Sequence, residues 1–357
     1  MQPRVVRHTA ARPLRVGLLA PPALAVPPAD YGGTEAVVHA LAAGLRRLGC
    51  DVRVAAAGIV PGGFAEPVGL GLPPAEALAC DLAHAAHSLA AMADRDIVHD
   101  HTKAAGCVVA CLAGLPLLTT VHNDRGPGRE RVYAARPHHS FVFLSQAHAR
   151  RYPGIAPYGI VPNGVDLGQI PFRARGREGY VLFLGRFSRV KGPAMAIAAC
   201  RRAGLPLVVA GTVDPSDPGC FEEDIAPHVD GRAVRLVGPV GGARKWELLA
   251  RARALLAPHC WEEPFGLTMV EAMACGTPAI TTRRGAGPEL VRHRLTGWLA
   301  EDPAGLEEGL AAAERIDPYA CRAWVASRFS ADAMARAYLD LYERLLASRG
   351  DTKGGVA

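Results

Sequence analysis

The stretch from Trp261 to Ile280, WEEPFGLTMVEAMACGTPAI, contains two glutamates whose type and spacing could bind a ligand. Glu263 and Glu271 lie on either side of a Pro-Phe-Gly turn and the start of an apolar helix. Glu271 has mostly apolar neighbours on both sides, so its carboxylate has little access to a solvated face. A buried carboxylate is costly unless it is paired or hydrogen-bonded. A ligand or a protein group must therefore satisfy Glu271, and we expect a ligand.

The turn before this helix has the features of an anion site. Gly266 allows the backbone to approach a ligand closely. The helix that begins there directs its free N–H groups and the positive end of its dipole into the same loop. The alternative is a helix closed by a Pro-Gly turn, in which one carboxylate forms a salt bridge within the protein. The other motifs of the chain favour the ligand site.

A second glycine-bounded loop, GRFSRVKG, follows the predicted strand Tyr180–Leu184. Arg186 and Lys191 lie between Gly185 and Gly192, directly before a helix that starts with a proline. An arginine fork and a lysine point charge from one loop suit two phosphate groups. A solvated basic turn is the alternative. The loop is not a Walker loop, because the spacing G-x-x-x-x-G-K-[ST] is absent.

A glycine pair in the first half of the chain also predicts a ligand site at the start of a helix. Gly32 and Gly33 precede Thr34 at the start of a helix, so the backbone can approach a ligand and Thr34 can cap the helix. The alternative is a long loop that ends in an ordinary cap. A nicotinamide-type G-x-G-x-x-G pattern is missing, which argues against an NAD domain.

Polar residues follow two predicted strands of the first half. His122 follows the strand Leu117–Val121, and Asp100 and His101 follow the strand Ile97–His99. Site residues of doubly wound domains lie at such strand ends, although a histidine there is also common as an ordinary loop residue. A metal site is not expected, because consecutive side chains on a strand alternate in direction and no further ligand is evident.

Short apolar runs alternate with helical segments along the chain, which is typical of parallel sheets covered by helices on both faces. The predicted strands are Leu14–Leu19, Asp51–Ala56, Ile97–His99, Leu117–Val121, Phe141–Leu144, Gly159–Val161, Tyr180–Leu184, Leu207–Ala210, Val234–Val237, Ala254–Ala257, Ala279–Thr281 and Trp298–Ala300. The predicted helices are Glu35–Leu48, Ala75–Ala93, Ser145–Tyr152, Pro193–Ala203, Ala243–Arg253, Leu267–Cys275, Gly287–Val291 and consecutive helices over Pro303–Leu346. The Gly-, Pro- and Arg-rich run Pro162–Gly179 is predicted to connect two doubly wound domains.

Composition limits the class of protein. A length of 357 residues suggests two domains, and 50% hydrophobic residues exclude a disordered chain. The basic residues are spread through both halves, so nucleic acid is not an expected partner. Nine cysteines without a C-x-x-C pair, and a start without a signal-peptide-like apolar region, indicate reduced thiols in a cytoplasmic protein. No apolar run is a convincing membrane span, and membrane association is not favoured.

Taken together, the motifs resemble those of glycosyltransferase family 4, a family of retaining transferases with the GT-B fold. The resemblance covers nearly the whole chain and rests on YGGTE, DIVHDH, TTVHND, FVFLSQAHARRY, VPNGVD, GRFSRVKG, EPFGLTMVEAMACGTPAI and GAGPELV. It implies an α/β architecture of two facing Rossmann-like, doubly wound domains, with C-terminal helices that cross back to the first. We expect an acceptor-side domain over residues 1–168, a donor domain over 169–329, and a returning helix with a flexible tail over 330–357.

By matching positions, the resemblance implies a role for each motif. Arg186 and Lys191 would neutralise a diphosphate, and Glu271 would accept hydrogen bonds from ribose hydroxyls. Glu263 would contact the donor sugar, and His122 would lie beside the reacting centre; with the two cations, they are the predicted catalytic residues. The other predicted donor-binding positions contribute backbone or loop contacts: Gly32, Gly33, Gly185, Phe265, Gly266, Leu267 and Thr268.

The predicted function is the transfer of a sugar from a nucleotide-sugar donor, with UDP the expected nucleotide, to a hydroxyl acceptor with retention of configuration. In a front-face mechanism the leaving phosphate takes the proton of the acceptor, so the two-carboxylate rule of glycosidases does not apply. No tightly bound cofactor and no divalent metal are expected. The opening motif and the Ala-, Arg- and Gly-rich composition favour a natural-product acceptor. Two alternatives stay open: a non-catalytic nucleotide-sugar-binding protein of the same fold, and a GT-B nucleotide-sugar epimerase.

Overall fold

A computed structural model of the chain describes residues 12–30, 32–57, 65–67, 77–123 and 126–353. Tyr31 of the first glycine turn and the tail after residue 353, which was expected to be flexible, lie outside these ranges. Within them, the strands form two sheets, one from each half of the chain. Neighbouring strands are parallel in both sheets, as the alternation of strands and helices predicts.

The first sheet has seven strands in the order β3-β2-β1-β4-β5-β6-β7. The strands are β1 (Arg15–Leu19), β2 (Asp51–Ala56), β3 (Ala65–Pro67), β4 (Ile97–Asp100), β5 (Leu117–Thr120), β6 (Ser140–Phe143) and β7 (Gly159–Ile160). The helices of this half are α1 (Gly33–Arg47), α2 (Ala77–Ala91), α3 (Ala105–Ala113), α4 (Pro127–Ala134) and α5 (Gln146–Arg150). The strand order reverses between β1 and β4, and ligands bind at the carboxyl ends of strands around such a switch point.

The second sheet has six strands in the order β10-β9-β8-β11-β12-β13. The strands are β8 (Val181–Leu184), β9 (Leu207–Ala210), β10 (Val234–Gly238), β11 (Ala254–Ala257), β12 (Ala279–Thr282) and β13 (Gly297–Ala300). The helices are α6 (Pro193–Arg202), α7 (Gly242–Arg251), α8 (Leu267–Ala274) and α9 (Gly287–Leu290). Strands β9 and β11, LVVA and ALLA, are buried along their whole length, because helices cover both faces of the sheet. The switch point lies between β8 and β11.

The C-terminal helices cross from the second domain back to the first. They are α10 (Pro303–Ala312), α11 (Pro318–Arg328) and α12 (Ala331–Lys353). Helix α12 packs so closely on α1 that a Cβ atom at Gly44 would lie 2.7 Å from the carbonyl oxygen of Ala331. Tyr338 and Tyr342 of α12 belong to the same buried cluster as the β1 residue Leu18. The predicted return of the C-terminal helix to the first domain is therefore confirmed.

Direct contacts also join the two domains beside α5. Ser145 Oγ donates a hydrogen bond to the carbonyl oxygen of Pro264 at 2.9 Å. The carboxylate of Glu289 accepts hydrogen bonds from the backbone N–H groups of Gln146 and Ala147, at 2.9 and 2.8 Å. A carboxylate is stabilised at a helix N-terminus, so this contact holds α9 of the second domain against α5 of the first.

All the predicted strands are present, each within one residue of its predicted ends, but β3, α3 and α4 were not predicted. Strand β3 is a three-residue edge strand that ends in proline, and it is too short to show an alternation of apolar and polar residues. Helix α3, AGCVVACLA, is apolar throughout and shows no polar face, whereas α4 begins with Pro-Gly inside a Gly- and Arg-rich run typical of a loop. The domain limits at residues 168 and 329 stay a prediction.

Candidate active site

A cavity of about 460 Å³ lies in the cleft between the two domains, where the carboxyl ends of both sheets meet. All the residues predicted for the site line it: Gly32, Gly33, His122, Gly185, Arg186, Lys191, Glu263, Phe265, Gly266, Leu267, Thr268 and Glu271. The structure thus brings together motifs that are far apart in the chain. What each residue does there stays a prediction.

Helix α8 begins at the cavity wall. Gly266 precedes it with a φ of 93°, in the left-handed region, and a Cβ atom there would lie only 2.3 Å from Cε of Met269. Glycine therefore suits this position both for its backbone conformation and for space. Leu267 and Thr268 in the first turn have N–H groups without an intrahelical acceptor, which makes this end of the helix suitable for an anion.

Glu263 is buried in the cavity wall and is the centre of a small polar cluster. Lys191 Nζ donates a hydrogen bond to Glu263 Oε2 at 2.5 Å, and Trp261 Nε1 donates to the same oxygen at 2.9 Å. Burial by itself opposes ionisation of this carboxyl, but the charge of Lys191, the proximity of His259 and the hydrogen bonds from Lys191 and Trp261 together outweigh it and hold the pKa of Glu263 below its usual value. Lys191 and Glu263 are thus an ion pair, which the sequence analysis did not predict.

His259 is a cavity residue that the sequence analysis missed. Its Nε2 lies 3.6 Å from Glu263 Oε2, and its Nδ1 is buried with no hydrogen-bond partner among the described residues. Burial lowers the pKa of His259 to about 4, so the ring is neutral. The signal was available, because His259 lies two residues after the end of strand β11, where site residues of such sheets lie.

Arg186 reaches the cavity from the loop after β8 and is held by a carboxylate. Its Nη1 donates a hydrogen bond to Asp214 Oδ2 at 2.6 Å, while its side chain stays 38% exposed. Burial opposes ionisation of Asp214, but hydrogen bonds from Ser216 and the charge of Arg186 outweigh it, so the pKa of Asp214 is lowered. Asp214 follows a different strand, β9, and nothing in the sequence linked it to Arg186.

Glu271 has a protein partner, which corrects the expectation that a ligand satisfies it. Lys245 Nζ donates a hydrogen bond to Glu271 Oε1 at 2.8 Å, and the two side chains are 18% and 6% exposed. The ammonium also lies 4.1 Å from the ring centre of Trp246. The physical reason is the packing of α7 beside α8, which places a lysine 26 positions away beside the carboxylate. Because Lys245 also lines the cavity, a ligand would meet an ion pair.

The first domain contributes the glycine pair before α1. The helix begins at Gly33, where an added Cβ atom would meet nothing within 4 Å. The predicted capping by Thr34 is wrong, because Gly32 occupies the N-cap position and no side chain caps the helix. The helix starts two residues earlier than predicted, which places Thr34 inside the first turn. The first N–H groups of such a helix have no intrahelical acceptor, and Gly33 and Thr34, which line the cavity, provide the first two.

His122 lies at the end of β5 and lines the cavity. Its Nε2 lies 2.9 Å from Nδ1 of His101, which follows β4. Burial lowers the pKa of His122 to about 3, and it lowers the pKa of His101 well below its usual value. Both rings are therefore neutral. His101 was predicted from the sequence as a strand-end residue without a role.

Two facing Rossmann-like domains, with a cleft lined by cations, carboxylates and a helix N-terminus, form the GT-B fold. Residues 31–169 match the model of the family described as Glycosyltransferase Family 4, and residues 170–337 match the one described as Glycosyl transferases group 1. The two matches follow each other without a gap. The chain therefore belongs to the family 4, group 1 glycosyltransferases.

Similar proteins are known by sequence and by structure. The chain is 35% identical over 216 residues to the glycogen synthase of Mycobacterium tuberculosis (strain CDC 1551 / Oshkosh), a match that covers 56% of this chain and 51% of that protein, so it spans about half the length of this relative. AviGT4, a glycosyltransferase involved in avilamycin A biosynthesis, superposes with a TM-score of 0.73 at 26% identity and covers 94% of this chain and 99% of its own. Anabaena Alr3699/HepE in complex with UDP and glucose superposes with a TM-score of 0.73 at 18% identity, over 93% and 100% of the two chains, which shows the fold alone.

Three further observations concern the described part of the chain. None of its helices is long and apolar enough to cross a membrane. No group of three or more His, Cys, Asp or Glu side chains in the described ranges is placed to hold a metal ion. The eight cysteines whose side chains the structure describes are free thiols.

Proposed function

We propose that the protein is a retaining glycosyltransferase that transfers a sugar from a UDP-sugar to a hydroxyl group of a small-molecule acceptor. The observation that carries this proposal is the convergence of Lys191, Arg186, the N-terminus of α8 and two buried carboxylates on one cavity. Cations and free N–H groups suit a diphosphate. Buried carboxylates suit the hydroxyl groups of sugars, because they are strong acceptors of hydrogen bonds.

The donor would lie along the second domain, with its diphosphate between the GRFSRVKG loop and the first turn of α8. Arg186 and Lys191 then neutralise phosphate oxygens, and Glu271 accepts hydrogen bonds from the ribose. Lys245 holds one oxygen of that carboxylate, so Oε2 is the oxygen for the ribose hydroxyls. Alr3699/HepE, which shares the fold of this chain, is in complex with UDP, and we propose the same nucleotide, with uracil as its base, for the donor here.

The donor sugar would lie between Glu263 and His122, which approach the cavity from opposite domains. Lys191 and Trp261 occupy Oε2 of Glu263, so Oε1 is the atom for a sugar hydroxyl. Lys191 thus links two tasks, since one ammonium holds the sugar-binding carboxylate and carries charge toward the phosphates.

The reaction proposed for this cleft is a front-face substitution. The bond from the anomeric carbon to the phosphate oxygen breaks, and a bond to the acceptor oxygen forms on the same face. The acceptor proton passes to the departing phosphate. Preorganised positive groups stabilise the charge that develops on the diphosphate. We propose that no divalent ion is needed, because Arg186, Lys191 and α8 supply that charge.

The acceptor is proposed to be a natural product or another small hydroxyl compound. The likeness to AviGT4 at 26% identity supports a natural-product role. A cytoplasmic location is part of the proposal, supported by the free thiols of the described cysteines. Closure of the two domains would exclude water and so limit hydrolysis of the donor.

Incubation with UDP-, GDP- and dTDP-sugars, with and without a panel of acceptors, tests the proposal. A transferase consumes a UDP-sugar and forms a glycoside only when an acceptor is present. An epimerase converts the donor without acceptor, and a binding protein leaves every donor unchanged while still binding UDP. The Glu263→Gln variant is the matched control for sugar transfer by the wild type, because it keeps the size of the side chain but removes its charge.

A further inference from the structure

A buried chain of polar side chains joins the C-terminal helix to the wall of the cavity. Tyr342 of α12 hydrogen-bonds Nδ1 of His99 at 2.6 Å, and Thr120 hydrogen-bonds Nε2 of the same ring at 2.7 Å. The ring of His99 lies 4.0 Å from the ring of His101, centroid to centroid. His101 in turn contacts His122. Both nitrogens of His99 are thus held from outside the cavity, and its ring packs against the next one.

His101 is joined to His122 through one nitrogen only. Nδ1 of His101 contacts Nε2 of His122, whereas Nε2 of His101 is buried and has no hydrogen-bond partner within the described ranges. Each neutral ring carries one N–H and one acceptor nitrogen. If Nδ1 of His101 were the acceptor, the ring hydrogen of His101 would be on Nε2, which is buried and has no partner among the residues that the structure describes. Unpartnered buried donors are rarer than unpartnered acceptors, so the hydrogen belongs on Nδ1.

We propose that His101 is a positioning residue, which donates its Nδ1–H to Nε2 of His122 and fixes His122 in the tautomer that carries hydrogen on Nδ1. The catalytic meaning of this inference rests on the proposed function. With Nε2 occupied, Nδ1–H is the ring group of His122 that can contact a ligand. It would donate a hydrogen bond to an oxygen of the donor sugar.

This tautomer also limits what His122 can do. A neutral ring whose acceptor nitrogen is already occupied has no lone pair with which to take a proton from the acceptor substrate. His122 therefore acts by orienting the sugar at the reacting centre and does not act as a base. The proton of the acceptor is left to the departing phosphate, as in the front-face reaction proposed above.

Two variants of similar size separate positioning from packing. In His101→Asn, the side-chain amide nitrogen is bonded to Cγ, as Nδ1 is in histidine, so the donor is kept. His101→Leu keeps the branched shape but has no donor. We expect His101→Leu to lower kcat on the order of tenfold, the effect of losing one hydrogen bond of typical strength, with UDP affinity unchanged. His101→Asn should recover most of kcat, and a purely structural role would not predict that recovery.

A second measurement does not depend on activity. NMR of the full chain labelled with ¹⁵N-histidine reports which ring nitrogen carries hydrogen, and a His122→Asn spectrum assigns the signals of His122. We expect the Nδ1–H form of His122 in the wild type and in His101→Asn, and a mixture of both forms in His101→Leu. An Nε2–H form in the wild type would overturn the proposal, as would equal kcat values for the two His101 variants.

The two measurements keep this inference distinct from the proposed function. A wild-type protein that binds UDP but transfers no sugar, while His122 shows the Nδ1–H form, would contradict the proposed function and support the positioning of His122. If His101→Leu does not fold, the wild-type spectrum and the His101→Asn variant still decide the tautomer.

Discussion

The ammonium of Lys191 and the carboxylate of Glu263 form an ion pair in the wall of the cleft, with 2.5 Å between Nζ and Oε2. The two residues are 72 positions apart and follow different strands, β8 and β11, on either side of the switch point of the second sheet. The side chains are only 18% and 9% exposed. The carboxylate of Glu263 therefore depends on Lys191 for its charge state, and a change to either residue alters the binding properties of both.

The first prediction compares the two cations of the GRFSRVKG loop. Arg186→Ala and Lys191→Ala should each weaken UDP binding, since each removes a charge-assisted contact of about 1.5–3 kcal/mol. Lys191→Ala should also lower the stability of the protein, on the order of 3 kcal/mol, because it leaves the buried carboxylate of Glu263 without its cation. Arg186→Ala should lower it less, because Asp214 keeps two hydrogen bonds from Ser216. Calorimetry with UDP and urea unfolding measure the two effects.

The double variant Lys191→Met with Glu263→Gln is the control for this comparison. It removes both charges and keeps similar volumes, so it should regain stability without regaining turnover. Unchanged UDP affinity in both single variants would show that the loop has no role in donor binding.

The second prediction concerns the pair Lys245 and Glu271. Glu271→Gln should weaken binding of UDP more than binding of dUDP, because only UDP offers the 2′-hydroxyl to the carboxylate. Lys245→Met should give the same pattern in weaker form, since it leaves the carboxylate in place but removes the group that orients it. Calorimetry with UDP and with dUDP measures the loss of affinity for each nucleotide in both variants. Equal losses for UDP and dUDP would mean that the pair is a structural salt bridge.

The sequence was sufficient to predict many of the residues that line the cavity, although not His259 or Lys245, because glycine turns and polar residues at the ends of apolar runs are local signals. It could not predict the ion pairs that connect them. Arg186 and Asp214 are 28 positions apart, and Lys245 and Glu271 are 26 apart, so their contact depends on how neighbouring strands and helices pack. The same limit explains His101 and His122, which were both recognised as strand-end residues while the contact between them was not predicted.

The third prediction is a pH dependence of stability that originates at Asp100, a fully buried residue at the end of β4. Burial raises the pKa of Asp100 to about 7, although Thr102 and Thr119 donate hydrogen bonds to it. The usual pKa of an aspartate is about 3.9, so between about pH 4 and 7 the native state holds a proton that the unfolded chain has lost. The stabilising contribution is therefore complete in acid and is lost as the pH rises through this range, by up to about 1.4 kcal/mol per pH unit.

The Asp100→Asn variant tests this assignment. The amide resembles the protonated carboxyl, so its hydrogen bond to Thr119 should persist at every pH. Urea unfolding at a series of pH values should show a shallower fall in the free energy of unfolding for the variant than for the wild type between pH 4 and 7. Parallel curves would show that Asp100 is ionised throughout this range.

The last prediction concerns the stereochemistry of transfer. If Lys191, Arg186 and Glu263 serve a front-face reaction, an α-linked donor should give an α-linked product, and no covalent sugar–enzyme intermediate should accumulate. His122→Ala should lower kcat far more than it lowers donor affinity, because contacts made at the reacting centre act on the transition state. The anomeric coupling in the NMR spectrum of the product decides the first point, and steady-state kinetics beside calorimetry with the donor decide the second. A β-linked product from an α-linked donor would exclude the retaining reaction, and with it the roles proposed for Glu263 and His122.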